Sequence, residues 1–288
     1  MTAAYAAIAG LAFGSLSVAV RAGLSGADCP EFGALAATAF GAALCAAIGV
    51  LGGSAGGARL DTLWPYLIVG GLAPGVSQIC LTFAVRSAGA ARTAIVMGSA
   101  PMMSVLIAFA ALAEPIRLDV VAGTLAIVLG ASALASERGR RPRSHFRGVL
   151  LAGICAMLFA VRDNLLRSLA TGGHAAPFAA ATATLAGATV VIGLYILCVR
   201  PTKATAQLGR TFVRFAPAGV ALAVGYGFLL TAFAHGRVSV VSPLNATGAL
   251  WAVALAAVTF RRTEQIGRSA LAAAILIVIG GVIIGASG

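Results

Sequence analysis

The sequence predicts an all-α integral membrane protein, ten transmembrane helices arranged as two inverted five-helix repeats around a central cavity. Three observations carry that expectation. Hydrophobic residues make up 60% of the 288 and charged residues 10%, with a mean hydropathy of +1.00, whereas a soluble domain carries about 25% charged residues. The apolar residues fall into ten long runs separated by short polar or glycine-bearing breaks. The second half also repeats residues of the first at a nearly constant spacing.

The runs cover 3–24, 32–51, 63–85, 93–113, 120–135, 148–169, 177–199, 212–234, 239–260 and 266–286. They do not alternate and are about twice the ~10 residues of a barrel strand, so helices, which satisfy their own backbone in lipid, are expected throughout. The first run has no basic stretch before it and reads as a retained helix rather than a cleaved signal. It contains no acid. The third holds Pro74-Gly75 and then Ser77, Gln78 and Thr82, with Gln78 and Thr82 four apart on one face. The fourth carries Pro101 and closes on Glu114. The sixth holds Arg162 and Asp163, the ionisable residues that lie clearly inside a run, with Asn164 beside them. Tyr226 lies in the eighth run, and Ser242, Pro243, Asn245 and Trp251 lie in the ninth. Pro74, Gly75, Pro101 and Pro243 interrupt these runs and are expected as kinks or hinges. Glycine pairs four apart, Gly10/Gly14, Gly49/Gly53, Gly71/Gly75 and Gly281/Gly285, put small residues on one helical face and permit close contact in lipid.

Between the fifth and sixth runs, residues 136–147 hold Arg138, Arg140, Arg141, Arg143 and Arg147 against Glu137. No aromatic cluster or soluble domain accompanies these arginines, so no nucleic-acid partner is expected. They read instead as a connector between a first repeat, 1–135, and a second, 148–288. With ten spans, both termini share one side with Arg59, Arg117, Arg167 and Arg237. The other side takes the connector, Arg21, Arg86, Arg92, Arg200, Lys203, Arg210, Arg214, Arg261, Arg262 and Arg268. The positive-inside rule then makes the connector cytoplasmic and leaves the termini outside. Lys203 is the only lysine amid abundant Ala and Gly, a usage that suggests a GC-rich bacterium and its inner membrane.

Ala19-Val20-Arg21 and Leu24 return as Ala160-Val161-Arg162 and Leu165; Phe32, Thr38 and Gly41 return as Phe178, Thr184 and Gly187; Glu114 and Gly130 return as Glu264 and Gly280. The shift grows only at loops. Five spans per half is an odd number, so the second copy enters the membrane upside down, the arrangement of alternating-access transporters with their substrate site near midplane.

Glu114 and Glu264 closing the fourth and ninth spans, the glycine-bearing last spans, and Ala84 and Ala88 leading through to Pro101 resemble the drug/metabolite transporter superfamily, in particular its ten-helix EamA-type members. The resemblance covers essentially the whole chain. It departs from the pattern at Trp251, where Pro101's counterpart falls, and at Ala273, which stands for Gly123. It implies a bacterial exporter of amino acids or related metabolites, the aromatic amino acid exporters included, with a small-molecule substrate, a lipid environment and no cofactor. A drug or metabolite/proton exporter is the alternative. Related small multidrug pumps exchange a cation for protons on a buried glutamate of the first helix, and 3–24 has no such residue. A neutral or zwitterionic substrate fits better.

Substrate-contacting candidates are Ser77, Gln78, Thr82, Tyr226, Ser242 and Asn245, with Phe13 and Phe159, 146 apart, as paired walls or as packing residues. Trp251 lies nine residues from Ser242 and points the opposite way, so it either forms another wall or packs. Asp163 is the candidate coupling carboxylate. Arg162 can bind or gate, or snorkel outward. As sequence neighbours about 100° apart they are expected on different faces. Capping or surface roles are expected for Glu114 and Glu264. Gly23-Leu24-Ser25-Gly26 with His235 imitates a serine-hydrolase motif, but its serine sits at a loop end, so no enzyme is expected. The scattered cysteines and histidines offer no metal-ligand spacing, and no metal is expected. Nothing in the chain calls for more than a monomer.

Overall fold

A computed structural model describes residues 1–24, 30–53, 60–88, 96–137, 146–172, 175–199, 208–259 and 268–287. The helices are α1 (Thr2–Leu24), α2 (Pro30–Leu51), α3 (Leu60–Gly70), α4 (Ser77–Ala88), α5 (Ala100–Ala111), α6 (Leu118–Glu137), α7 (Phe146–Gly172), α8 (Pro177–Val199), α9 (Leu208–His235), α10 (Val238–Ala246), α11 (Gly248–Thr259) and α12 (Arg268–Ser287). No strand occurs among the described residues. Among the described residues, six helical stretches are long and apolar enough to cross a membrane, and Ala100–Ala111, Leu118–Gly130 and Ile275–Ile284 are apolar but shorter. The outward faces carry Leu51, Leu118, Phe146, Val213 and Val282 fully or largely exposed, an apolar surface that suits lipid rather than water. The chain is a multi-pass membrane protein. Of the basic connector, residues 138–145 lie outside the described residues.

Three predicted runs are broken rather than continuous. In the third, the π-helical turn Gly71–Val76 joins α3 to α4, and Ala73 leaves helical geometry at φ −147, ψ 117. Pro74 has no N–H to donate, so a regular helix cannot run through it unchanged. In the ninth, α10 gives way to α11 at Thr247, whose hydroxyl donates to the Leu244 carbonyl at 2.7 Å while its N–H donates to the same oxygen at 3.1 Å. The fourth run breaks in the same manner before α5. Ser99 donates to the Val96 carbonyl through its hydroxyl at 2.6 Å and its N–H at 3.1 Å. Hydroxyls that bond back one turn compete with the helical ladder. Pro101 thus opens α5, Pro243 sits inside α10, and Pro74 and Gly75 sit in the π turn.

Packing follows small residues. α6 lies on α12, α1 on α9, α10 and α11, α2 on α8 and α9, α4 on α7, α3 and the π turn on α8, and α5 on α7 and α10. At the α6–α12 crossing, Gly123 faces Gly280 and Gly130 faces Ala273; a Cβ on Gly123 or Gly130 would stand 2.8 Å from the opposing carbonyl oxygen. Gly10 and Gly14 set α1 against α10 and α11, where a Cβ would meet the Asn245 carbonyl oxygen at 2.9 Å and that of Gly248 at 2.6 Å. Gly71 and Gly75 also lie at a contact, against Val191. Gly49 and Gly281 are approached only loosely, and Gly53 (φ +71) turns the chain at the end of α2. Glycine spacing alone did not distinguish the contacts from the rest.

Candidate functional site

Three consecutive residues of α7 make the polar centre of the bundle. Arg162, Asp163 and Asn164 are 4%, 4% and 6% exposed, and each reaches a different helix. Successive side chains on a helix leave it about 100° apart, so one short polar run fans out to three neighbours. Arg162 donates through Nη1 to the Tyr226 hydroxyl of α9 at 2.9 Å. Asp163 accepts from the Ser242 hydroxyl of α10 at 2.7 Å through Oδ2. Asn164 donates through Nδ2 to the Ser104 carbonyl of α5 at 3.0 Å and to the Ala160 carbonyl of its own helix at 2.9 Å. Tyr226, Ser242 and Ser104 are buried as well.

The expectation that Arg162 and Asp163 keep to separate faces does not hold at their functional ends. The guanidinium donates through Nε at 3.0 Å and Nη2 at 2.5 Å to Asp163 Oδ1. The 100° step separates Cβ directions, but the arginine chain is long enough to curl back across it. Snorkelling outward does not occur; the charge stays inside. Two aromatic rings flank it, Phe159 at 4.7 Å and Tyr226 at 5.5 Å from Cζ to centroid, and Phe13 of α1 meets Tyr226 edge-on at 5.4 Å. Arginine over an aromatic face gains from the ring's negative quadrupole, most where water is excluded.

Six of the sequence candidates, Arg162, Asp163, Tyr226, Ser242, Phe13 and Phe159, therefore converge. Ser77 is buried beside Cys155 of α7, whose Sγ donates to the Ser77 carbonyl at 3.2 Å; seven residues along α7, that is about 10 Å from Arg162. The Ser77 hydroxyl and Asn245 Oδ1 are buried with no partner among the described residues. Gln78 is half-buried and has partners of its own. The side chain of Thr82 lies outside what the structure describes. Trp251 is 41% exposed, its Cβ close to Gly14 of α1, which puts it at the periphery rather than with Ser242. Sequence reasoning gave Ser104 no role. A lone buried serine in an apolar helix leaves no spacing signal.

At one end of the bundle Glu114 acts as a cap. Its two carboxylate oxygens accept the N–H groups of Val238 at 2.8 Å and Ser239 at 3.0 Å, the otherwise unpaired first donors of α10. A negative group there is also favoured by the helix dipole. Arg167 donates to the Phe233 carbonyl, and Thr2 to that of His235 at 3.3 Å, so the starts of α1 and α10 and the ends of α7 and α9 are fastened together. Glu264 lies outside the described residues. Replacing Glu114 by alanine is expected to destabilise the protein by about 1–2 kcal/mol, read as a lower apparent Tm in detergent, with glutamine intermediate because its amide supplies one acceptor and no charge.

These features define a membrane protein with an ion pair buried inside a helical bundle. The profile of the EamA-like transporter family matches residues 1–136, so the first half is similar to that family's domain, a likeness that speaks for a membrane transporter. One solved crystal structure superposes with a TM-score of 0.82 over 98% of this chain and 95% of its own, at 19% identity, a likeness of fold. No curated protein matches the chain.

Proposed function

We propose that the chain is a secondary transporter exporting small amphipathic metabolites, amino acids and the aromatic ones among them, by alternating access. Ten spans in two inverted five-helix repeats, 1–135 and 148–288, would enclose the site, with the connector 136–147 cytoplasmic and the termini outside a bacterial inner membrane. The observation that carries the reading is the buried polar centre at which helices of both halves meet: α7, α9 and α10 from the second, α5 and α1 from the first. Ionisable groups are expensive in a membrane interior and mark substrate or ion paths there.

The helix contacts support the inverted repeat. With Gly123 matched to Ala273 and Gly130 to Gly280, the observed contacts are Gly123–Gly280 and Gly130–Ala273. Residue i of one copy thus meets j of the other, and j meets i, the pattern that a two-fold axis produces. The breaks at Ser99 and Thr247 are built from the same pair of hydrogen bonds. They interrupt the fourth and ninth spans, which correspond under the repeat, and broken helices beside a central site are a hallmark of such transporters. The glutamate cap at α10 supports a gate at that end, because it holds a short helix that also carries Ser242 to Asp163.

The test is counterflow of labelled phenylalanine, lysine and a lipophilic cation in proteoliposomes, with and without a pH gradient. Phenylalanine exchange indifferent to pH is the expected result. Cation movement that needs the gradient and disappears in Asp163→Asn overturns the reading in favour of a proton-coupled drug exporter.

A further inference from the structure

The salt link at the centre joins two neighbours on one helix. A pair that holds a bundle together spans two helices, but Arg162–Asp163 fastens α7 only to itself. Buried ion pairs add little net stability over apolar residues, and ionisable groups are costly in a membrane interior. The link's physical effect is to keep two opposite charges neutralised at a place where three helices converge.

The donor count is incomplete. A guanidinium has five N–H groups. Nε–H and one Nη2–H go to Asp163 Oδ1 and one Nη1–H goes to Tyr226, which leaves one N–H on each Nη without an acceptor among the described residues. The site therefore has unused capacity for an oxygen anion, next to a carboxylate that can change partners and between the rings of Phe159, Tyr226 and Phe13.

The geometry points to Arg162 and Asp163 as the receptor for the two charged ends of one free α-amino acid, an assignment that rests on the amino-acid reading above. The substrate carboxylate takes the guanidinium, the substrate ammonium takes the Asp163 carboxylate, and the internal link opens as the two new ones form. Net charge at the centre is zero before and after, so no proton or co-ion is required. A purely cationic or anionic analogue satisfies one protein charge and strands the other in a dry interior. Exchange of partners also loosens Arg162 from Tyr226 on α9 and Asp163 from Ser242 on α10, which ties occupancy to two helices of the second half.

The deciding experiment is competition in phenylalanine counterflow by the wild-type protein, with unlabelled phenylalanine, phenethylamine and 3-phenylpropionate as competitors. The single-ended analogues are expected to compete about 10- to 100-fold more weakly, the loss of one charge-assisted contact. Competition equal to that of phenylalanine by either analogue overturns the assignment. In a second arm, Arg162→Gln/Asp163→Asn keeps hydrogen-bonding groups but removes both charges. It is expected to lose phenylalanine counterflow at least about ten-fold while remaining monodisperse in detergent, and undiminished counterflow overturns the assignment. If that variant fails to fold, the wild-type competition series decides alone. Wild-type protein that exchanges no amino acid overturns both this assignment and the amino-acid reading, whereas exchange with indifferent competitors overturns this assignment only.

Discussion

Asp163→Ala is expected to destabilise the protein severely. It strands the Arg162 guanidinium, 4% exposed, with the Tyr226 hydroxyl as its remaining side-chain partner. Removing one member of a buried pair costs about 3–5 kcal/mol, and in a chain of this size about 10 °C of apparent Tm. The informative companion is Arg162→Met/Asp163→Leu, which removes both charges and keeps comparable volume. Because the salt link itself joins two residues of one helix, the double variant is expected to be more stable than Asp163→Ala, short of the wild-type Tm mainly by the hydrogen bonds that Tyr226 and Ser242 lose, and yet to transport nothing. Thermal melts of both variants in detergent check this. A double variant as unstable as Asp163→Ala would mean that the pair holds the bundle together after all.

Gly14→Leu is expected to be strongly damaging although it lies outside the polar centre. A Cβ on Gly14 would stand 2.6 Å from the Gly248 carbonyl oxygen and 2.7 Å from Trp251 Cβ. Both are backbone or next to it, so no rotamer change relieves the clash and α1 must move away from α11. Overpacking a well-fitted contact costs about 1–3 kcal/mol, and here the displacement also carries Phe13 away from Tyr226. Loss of transport together with a lower Tm is the expected outcome. Gly49→Leu, near which only Phe178 Cβ comes within 4 Å, is the control and is expected to be tolerated. Equal damage from the two would refute the close α1–α11 crossing.

Much of the polar centre was visible before any fold was known. Arg162 and Asp163 stand out because no other charged residues lie well inside an apolar run. The spacing of Phe13 and Phe159 suggested walls of one site, and both rings do stand at the Arg162–Tyr226 contact. Other parts were not visible. Helical geometry separated Arg162 from Asp163 when the side chain's length reunited them. Glu114 was expected to cap or to face the surface, but its client, the first turn of α10, lies 124 residues away. Gln78 looked like a cavity residue on spacing alone, and it is half-buried in α4 with partners of its own.

The sequence by itself determined that the chain lives in lipid, where its helices run, and which charges must be buried. These are local matters. An apolar run of sufficient length has no better solution in a bilayer than a helix that satisfies its own backbone, and a charge in its midst has nowhere to go but inward. Which helix each residue would meet was decided only by the tertiary structure. Lipid tails are as apolar as leucine, so these helices carry no amphipathic stripe to tell one face from another. The choice of neighbours falls to individual close fits, Gly14 on Gly248 and Gly123 on Gly280, and to single hydrogen bonds such as that from Ser242 to Asp163. Contacts of that kind have no period along the chain and exist only once the helices have packed.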